Sequence, residues 1–221
     1  MSLRIAVLAS GRGSNLRALF QAQENGLLKA RIVGVFSDRD GCDAIAFARR
    51  HELFTFTLRP RDFASREAFD EALFSQIELV QPDLIVFAGY MRLVSQRVVQ
   101  RFEGRMINIH PSLLPKYPGL DTHGRALAAG DAEHGASVHV VTPEVDAGPV
   151  IAQARVPVLP DDDSASLAQR VLEREHPLLV ESVRAIADAR LALTAAKLRW
   201  CGTTLDFPLS LNEHDQLEER E

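Results

Sequence analysis

The stretch MINIHPSLLPKYPG, residues 106–119, begins as a buried strand and continues as a segment that can form neither a helix nor a central strand. Its first five residues are apolar except for Asn108 and His110, and three prolines follow within eight residues. Side chains two residues apart share one face of a strand, so the amide and the imidazole project together. At a strand end of an α/β sheet they are a candidate oxyanion donor and general acid or base. A capped strand with a hydrogen-bonded buried histidine fits the same residues equally well.

Apolar runs and amphipathic segments alternate along the rest of the chain, which is typical of a doubly wound α/β fold. Strands are predicted at residues 3–9, 31–36, 54–58, 83–88, 105–109, 136–141 and 150–156. Helices are predicted at residues 16–25, 43–50, 65–77, 95–102, 122–129 and 164–191, the last of them kinked or divided by Pro177. The pattern predicts a single-domain Rossmann-like fold, with a mostly parallel central sheet flanked by helices on both faces.

No linker divides the chain, so we expect one domain over residues 1–195 and a C-terminal extension over residues 196–221. Within the extension, a small hairpin is expected about Cys201-Gly202. Residues 212–221 are acidic enough to form a frayed tail. No motif in the extension indicates a role.

Composition narrows the class of protein. The 221 residues are 46% hydrophobic and carry a formal net charge of −5 at pH 7, which argues against general nucleic-acid binding but not against a local anion pocket. No apolar run is long enough to span a membrane, and Cys42 and Cys201 lack CxxC spacing. We expect a cytoplasmic protein, monomeric or homodimeric, that binds neither nucleic acid nor a membrane.

The loop GRGSN, residues 11–15, lies between the first predicted strand and the first predicted helix. Its glycines allow close backbone approach, and the free NH groups of a helix start attract anions, so the loop is a candidate phosphate site. The third glycine of the dinucleotide fingerprint GxGxxG is missing because Leu16 stands there, although Asp38 could serve as the ribose-binding acid. An ordinary turn with Ser14 or Asn15 as the helix cap is the alternative.

The loop TPEVDAGP, residues 142–149, follows a strand that we expect to lie beside residues 105–109. In that arrangement Asp146 would lie near His110, orient the imidazole and favour its protonated form. Because loop aspartates are usually solvated turn formers, a turn residue is the alternative.

Other reaction classes find little support in the motifs. Three histidines, His123, His134 and His139, lack a compact metal-ligand spacing such as HExxH, so no metal is predicted. Neither the GxSxG elbow of serine hydrolases nor the GxxxxGK loop of NTP hydrolases occurs in the chain. A nucleotide-binding oxidoreductase that uses the GxG loop remains the alternative from a different functional class.

Five segments together resemble the folate-dependent formyltransferases, and within them the branch that acts on phosphoribosyl glycinamide in purine synthesis. They are SGRGSN at 10–15, AGYMRLVS at 88–95, MINIHPSLLPKYPG at 106–119, HGASVHVVTPEVDAGPVI at 134–151 and EREHPLL at 173–179. The resemblance runs in order over roughly residues 3–190. It implies that the formyl group of 10-formyltetrahydrofolate, a co-substrate, is transferred to the amine of phosphoribosyl glycinamide.

The resemblance also implies which residues form the site. The catalytic positions are Asn108, His110 and Asp146. The phosphate and ribose of the substrate would be bound by Gly13, Ser14, Asn15 and Glu175. Formyl folate would be bound by Arg66, Met91, Arg92, Leu93, Val94, Asn108, Thr142, Pro143, Glu144, Val145 and Asp146. The main departure is Tyr90, which stands where a phenylalanine is common in the family.

The expected reaction is a direct attack of the substrate amine on the formyl carbon, with no covalent enzyme intermediate. Asn108 and a protonated His110 would hold the oxyanion, and Asp146 would support His110 as the general acid. A formyltetrahydrofolate hydrolase or another formyltransferase of the same fold is the alternative. We expect a tRNA formyltransferase to carry an additional basic C-terminal domain, and the hydrolase an N-terminal regulatory domain.

Overall fold

A central β-sheet organises the molecule in a computed structural model that describes residues 2–193 and 197–219. The strands of this sheet are β1 (Leu3–Leu8), β2 (Ala30–Ser37), β3 (Thr55–Thr57), β4 (Leu84–Phe87), β5 (Met106–His110), β6 (Glu133–Val140), β7 (Val150–Pro157), β11 (Leu209–Leu211) and β12 (Leu217–Glu218). A separate three-stranded sheet is formed by β8 (Leu191–Leu193), β9 (Leu198–Trp200) and β10 (Thr203–Thr204).

The order across the large sheet is β12-β11-β7-β6-β5-β4-β1-β2-β3. Strands β1 to β5 are mutually parallel, and β6 runs antiparallel to both of its neighbours, β5 and β7. The predicted α/β fold with a mostly parallel sheet is confirmed. The pairing of β5 with β6, which the sequence predicted, places residue 108 opposite residue 139 and residue 110 opposite residue 137.

Helices cover both faces of this sheet. They are α1 (Ser14–Glu24), α2 (Asp43–Arg50), α3 (Arg66–Leu79), α4 (Gln96–Arg101), α5 (Thr122–Ala129) and α6 (Ser164–Ala187). Apolar residues of α1, α2 and α6 form the core on one face, and those of α3 and α4 form the core on the other. Ser65 caps α3 as predicted, because its side chain accepts a hydrogen bond from the Ala68 NH.

Helix α6 differs from its prediction in two ways. Pro177 lies inside a single continuous helix, so the expectation that this proline divides the helix is wrong. Packing of α6 against β6, β7 and α1 holds the helix together across the missing NH. The helix ends at Ala187, not at Leu191, because Ala189 adopts a left-handed conformation and Arg190 NH closes the turn on the Ala185 carbonyl.

The C-terminal region is more ordered than the sequence indicated. The hairpin about Cys201-Gly202 is present, formed by β9 and β10, and both turn residues have positive φ. The expectation of a frayed tail from residue 212 is wrong for the described residues up to 219. Strand β11 pairs in parallel with β7, and β12 pairs with β11, so the segment extends the central sheet. Residues 220 and 221 lie outside the described residues.

Arg174 of α6 secures this C-terminal segment. Its guanidinium donates to the Asn212 carbonyl at 2.7 Å and to Asp215 at 2.6 Å. Leu209, in β11, is completely buried. The acidic composition of residues 212–221 predicted a solvated chain, but Leu217 of β12 is buried and Arg174 is a cationic partner for Asp215.

We predict that Leu209→Ala lowers the free energy of unfolding by about 2 to 5 kcal/mol, the usual cost of emptying a buried leucine site. The matched control is Phe207→Ala, since that side chain is 74% exposed and its loss should change stability by less than about 0.5 kcal/mol. Urea unfolding of both variants measures the difference. Equal, small losses would mean that residues 207–211 are not part of the folded core.

Candidate functional site

Polar side chains replace apolar ones on one face of β5 and β6. On the opposite face, Ile107, Ile109 and Val138 belong to the core beneath α6. Strand alternation therefore turns Asn108, His110 and their neighbours in β6 toward the face covered elsewhere by α3 and α4. Those two helices contribute no apolar cover over these polar positions, and a cavity of about 550 Å³ lies there.

Loops close around this cavity from three sides. The loop after β4 lines it with Met91, Arg92, Leu93 and Val94. The loop after β6 lines it with Thr142, Pro143, Glu144, Val145 and Asp146. The segment from residue 119 to residue 123 forms the third side, and Asn108, His110 and His139 form the floor. All but one of the predicted folate-site residues therefore surround a single space.

Arg66 is the exception, because it does not line the cavity. It is the first residue of α3, its side chain is 46% exposed, and its guanidinium lies 3.4 Å from the Glu67 carboxylate. Its charge, together with that of Arg92, acts on the buried carboxyl of Asp70. Arg66 thus lies outside the cavity, and its charge acts on the same buried carboxyl as that of the cavity residue Arg92.

His110 is held between two oxygen acceptors. Its Nε2 lies 2.9 Å from the Tyr117 carbonyl, and its Nδ1 lies 3.4 Å from Asp146 Oδ2. Burial lowers the pKa of His110 below its ordinary value, and the Tyr117 carbonyl and the Asp146 charge only partly oppose that effect. Burial thus favours the neutral imidazole in the empty cavity, whereas Asp146, as the sequence indicated, favours the protonated form. A protonated His110 during the reaction stays a prediction.

Asp146 connects several elements of the site from a left-handed backbone position. Its Oδ2 accepts a hydrogen bond from the Gly119 NH at 2.8 Å, and its Oδ1 lies 3.5 Å from His139 Nε2. Burial raises the pKa of Asp146, but the contact with His139 and the hydrogen bond from the Gly119 NH outweigh burial and lower the pKa overall. Asp146 is therefore an ionised carboxylate directed at His110, as the sequence predicted from its position.

His139 fixes the orientation of Asn108. Its Nδ1 lies 3.0 Å from the Val140 carbonyl, which can only accept, so this nitrogen carries the proton. An amide NH2 can only donate, so Nε2 accepts from the Asn108 amide at 3.0 Å. The second NH of that amide is left for a ligand in the cavity.

The proline-rich segment is attached to the sheet through buried polar groups. The Ser137 hydroxyl donates to the Ser112 carbonyl at 2.7 Å and accepts from the Leu114 NH at 3.0 Å. Gln153 donates to the Leu114 carbonyl at 2.8 Å. These bonds hold the backbone of residues 111–117, and with it the Tyr117 carbonyl that contacts His110.

The glycine loop lies next to the cavity wall, because the Met91 NH donates to the Ser10 hydroxyl at 3.1 Å. Gly13 is the residue before α1 and has a φ of 73°. A side-chain carbon there would lie 2.8 Å from the Cα of Ala44, so both conformation and space require glycine. Ser14 and Asn15 begin the helix, and their NH groups are among those that a helix start leaves free.

Glu175 of α6 meets this loop inside the protein. Its Oε2 accepts from the Asn15 amide at 3.1 Å, and burial raises the pKa of Glu175 although that bond opposes the shift. Asn15 Oδ1 is buried and has no hydrogen-bond partner among the described residues. The structure thus brings together Asn15 and Glu175, which are 160 positions apart in the sequence. Asn15 Oδ1 remains available as an acceptor for a hydroxyl or NH of a ligand.

Metal ligands do not cluster in the part of the chain that the structure describes: no group of three or more His, Cys, Asp and Glu side chains there could hold a metal ion. In the same residues, no helix is both long and apolar enough to cross a bilayer.

The sequence analysis did not identify several groups that surround or support the cavity. It weighs His139 only as a metal ligand, although the alternation of His139 with Val138 and Val140 indicates a polar position on the same face as Asn108. Ser137 alternates with apolar neighbours in the same way. The Tyr117 carbonyl and the Gly119 NH have no sequence signal, because any residue provides the same backbone groups.

Comparison with known proteins gives a consistent result. A family model described as formyl transferase matches residues 3–183. The chain is 45% identical to phosphoribosylglycinamide formyltransferase of Escherichia coli K12 over 191 residues, 86% of this chain and 90% of that protein.

Solved structures agree with the sequence comparison. Phosphoribosylglycinamide formyltransferase from Coxiella burnetii superposes with a TM-score of 0.89 at 42% identity, covering 93% of this chain and 96% of the other. A formyltetrahydrofolate deformylase from Pseudomonas syringae gives a TM-score of 0.82 at 26% identity, covering 90% of this chain and 66% of the other. The chain belongs to the formyl transferase family.

Proposed function

We propose that the protein transfers the formyl group of 10-formyltetrahydrofolate to the amine of phosphoribosyl glycinamide, a step of de novo purine biosynthesis. The observation that carries this proposal is the single cavity in which Asn108, His110 and Asp146 meet, beside a loop suited to a phosphate. The identities of 45% and 42% to phosphoribosylglycinamide formyltransferases, against 26% to a deformylase, favour transfer over hydrolysis.

In the proposed reaction the neutral amine attacks the formyl carbon directly. The described residues that line the cavity include neither serine nor cysteine, which supports a reaction without a covalent enzyme intermediate. The formyl oxygen becomes an oxyanion, held by the free amide NH of Asn108 and by His110 in its protonated form. One such donor is commonly worth about 3 kcal/mol of transition-state stabilisation.

Proton movement completes the step. The attacking nitrogen gains a positive charge and must lose a proton, while N10 of the folate must gain one as the C–N bond breaks. Because burial favours neutral His110 in the empty cavity, His110 can receive the proton and then act as the general acid toward N10. Asp146, ionised 3.4 Å from His110 Nδ1, stabilises the imidazolium between these two events.

The substrates would occupy two adjoining regions. The NH groups of Gly13, Ser14 and Asn15 at the start of α1 would hold the phosphate, and Glu175 the ribose hydroxyls. The pterin would lie against the loops at residues 91–94 and 142–146, whose exposed apolar residues Met91, Leu93 and Val145 suit a flat ring. Arg66, outside the cavity, would meet the carboxylates of the folate tail.

We also propose a location and a set of partners for the enzyme. It would be a cytoplasmic protein, monomeric or homodimeric, that acts on small molecules and uses no nucleic acid, membrane or metal. Residues 1–195 would form the transferase domain. Residues 196–221 would be an extension packed on its sheet through β11.

The first test is substrate dependence. Folate release from 10-formyltetrahydrofolate should require phosphoribosyl glycinamide and should give one formylated amine for each folate released, because transfer couples the two events. Absorbance of the folate and mass spectrometry of the amine measure both products. Equal release without the amine would identify a formyltetrahydrofolate hydrolase, and bound nicotinamide in the purified protein would revive the oxidoreductase alternative.

The second prediction concerns the phosphate site. Ser14→Asp places an acid in the first turn of α1, where it favours the helix by up to about 1 kcal/mol but repels a bound phosphate. We expect the KM for phosphoribosyl glycinamide to rise by about tenfold or more, with the KM for the formyl folate changing by less than about twofold. Ser14→Ala is the matched control and should behave like the wild type. Parallel rises in both KM values would remove the phosphate from this loop.

The third prediction concerns the charge of Asp146. Asp146→Asn keeps the shape but removes the opposite charge, so it should lower the pKa of His110 further below its ordinary value. A less basic imidazole cannot hold the proton during transfer, and kcat should fall by about a hundredfold or more with smaller effects on substrate binding. NMR titration of His110 in both proteins measures the cause. A folded variant with near-normal kcat and an unchanged titration would reduce Asp146 to a loop residue.

A further inference from the structure

His123 lines the cavity but has no role in the reaction described above. It is the second residue of α5, where the chain leaves the proline-rich segment and turns into the helix. Its ring is partly buried. Burial lowers the pKa of His123, and charge on His110 acts in the same direction. His123 and His110 thus line the same cavity, the one in which the proposed reaction takes place.

One nitrogen of His123 is already engaged. His123 Nδ1 lies 3.1 Å from His134 Nε2, and the two rings meet edge to face with their centroids 5.1 Å apart. His134 is only 1% exposed; burial lowers its pKa, and the Pro111 carbonyl near its ring opposes that shift. His134 thus links the ring of His123 to the proline-rich segment.

These contacts allow a proton to be assigned to one nitrogen of each ring. A carbonyl can only accept, so with the Pro111 carbonyl near the ring and Nε2 of His134 facing His123, we assign the proton of His134 to Nδ1. The bare Nε2 of neutral His134 then accepts from Nδ1–H of His123. Neutral His123 is left with a bare Nε2, for which the described residues provide no hydrogen bond.

Burial keeps both rings neutral. It lowers the pKa of His134 to about 4 and lowers the pKa of His123 below its ordinary value, although Asp131 and Asp121 respectively oppose these shifts. At neutral pH the pair therefore stays in the arrangement that the hydrogen bonds dictate.

A bare imidazole nitrogen in a binding cavity needs a donor from the ligand. An unsatisfied acceptor that loses water on ligand binding weakens binding, so the ligand must present an NH or OH there. In the proposed reaction the attacking amine has two NH bonds, and its lone pair has to point at the formyl carbon. An acceptor that lines the same cavity as His110 offers a partner for one of those NH bonds.

We propose that His123 accepts a hydrogen bond through Nε2 from the attacking amine of the substrate and thereby directs the amine lone pair at the formyl carbon. His134 is the positioning residue, since it fixes the proton of His123 on Nδ1. This inference rests on the proposed function and adds to it a contact between the protein and the attacking amine.

The direct test is NMR of the wild-type enzyme with ¹⁵N-labelled histidine, because it requires no substitution. His123 should show a protonated Nδ1 and a bare Nε2. The Nε2 signal should move when phosphoribosyl glycinamide is added to the complex with tetrahydrofolate, which has no formyl group to transfer. A proton on Nε2, or an Nε2 signal that stays in place at saturation, overturns the inference.

Two variants provide the kinetic test. His123→Phe keeps an aromatic ring but has no acceptor, and it should lower kcat/KM for phosphoribosyl glycinamide by about ten- to a hundredfold through loss of orientation. The KM for the formyl folate should change by less than about twofold. His123→Gln keeps an acceptor and should recover part of the activity, which a purely structural role for the ring would not produce.

The outcomes separate this inference from the proposed function. A wild-type enzyme that transfers formyl groups, with a folded His123→Phe variant of equal kcat/KM, overturns the contact of His123 and leaves the proposed function intact. A wild-type enzyme that does not formylate phosphoribosyl glycinamide overturns both. Thermal unfolding of each variant checks that it is folded before the rates are compared.

Discussion

The pairing of β5 with β6 is the interaction on which the site depends. It places Asn108 opposite His139 and His110 opposite Ser137, so one sheet face carries four polar side chains where a core would be apolar. Buried polar groups are costly without partners, and the proline-rich segment and the loop after β6 supply them. These hydrogen bonds offset the free-energy cost of burying this polar face. They also fix the positions of the side chains around the cavity.

The chemistry follows from a balance between burial and acceptors at His110. Burial favours the neutral ring, whereas the Tyr117 carbonyl and the Asp146 carboxylate favour the charged one. A group balanced in this way can change its protonation state when a substrate alters the local charge, which suits a proton carrier better than a permanently charged donor. Among the described residues, His123 and His134 have no carboxylate as close as Asp146 is to His110, and their neutral state suits an acceptor of hydrogen bonds.

The sequence predicted the regular parts of this protein well, because apolar periodicity and glycine or proline signals control them. It also predicted that Asp146 approaches His110, which required only the right neighbour for β5. The sequence-based predictions were wrong where tertiary contacts override local preference. Pro177 lies within an unbroken helix, and the acidic C-terminal segment contributes strand β12 to the sheet. Backbone groups such as the Tyr117 carbonyl, and the lowered pKa of His110, depend on three-dimensional burial and could not be inferred from residue types.

In the proposed reaction, Asn108 and His110 stabilise the same oxyanion during formyl transfer. The most direct measurement is the single-turnover rate of ¹³C-formyl transfer to phosphoribosyl glycinamide in Asn108→Ala, His110→Ala and the double variant. We expect each single variant to be slower by about a hundredfold or more, and the double variant to be slower by less than the product of the two, because residues acting on one charge are not additive. Near-normal transfer by either folded single variant would contradict the claim.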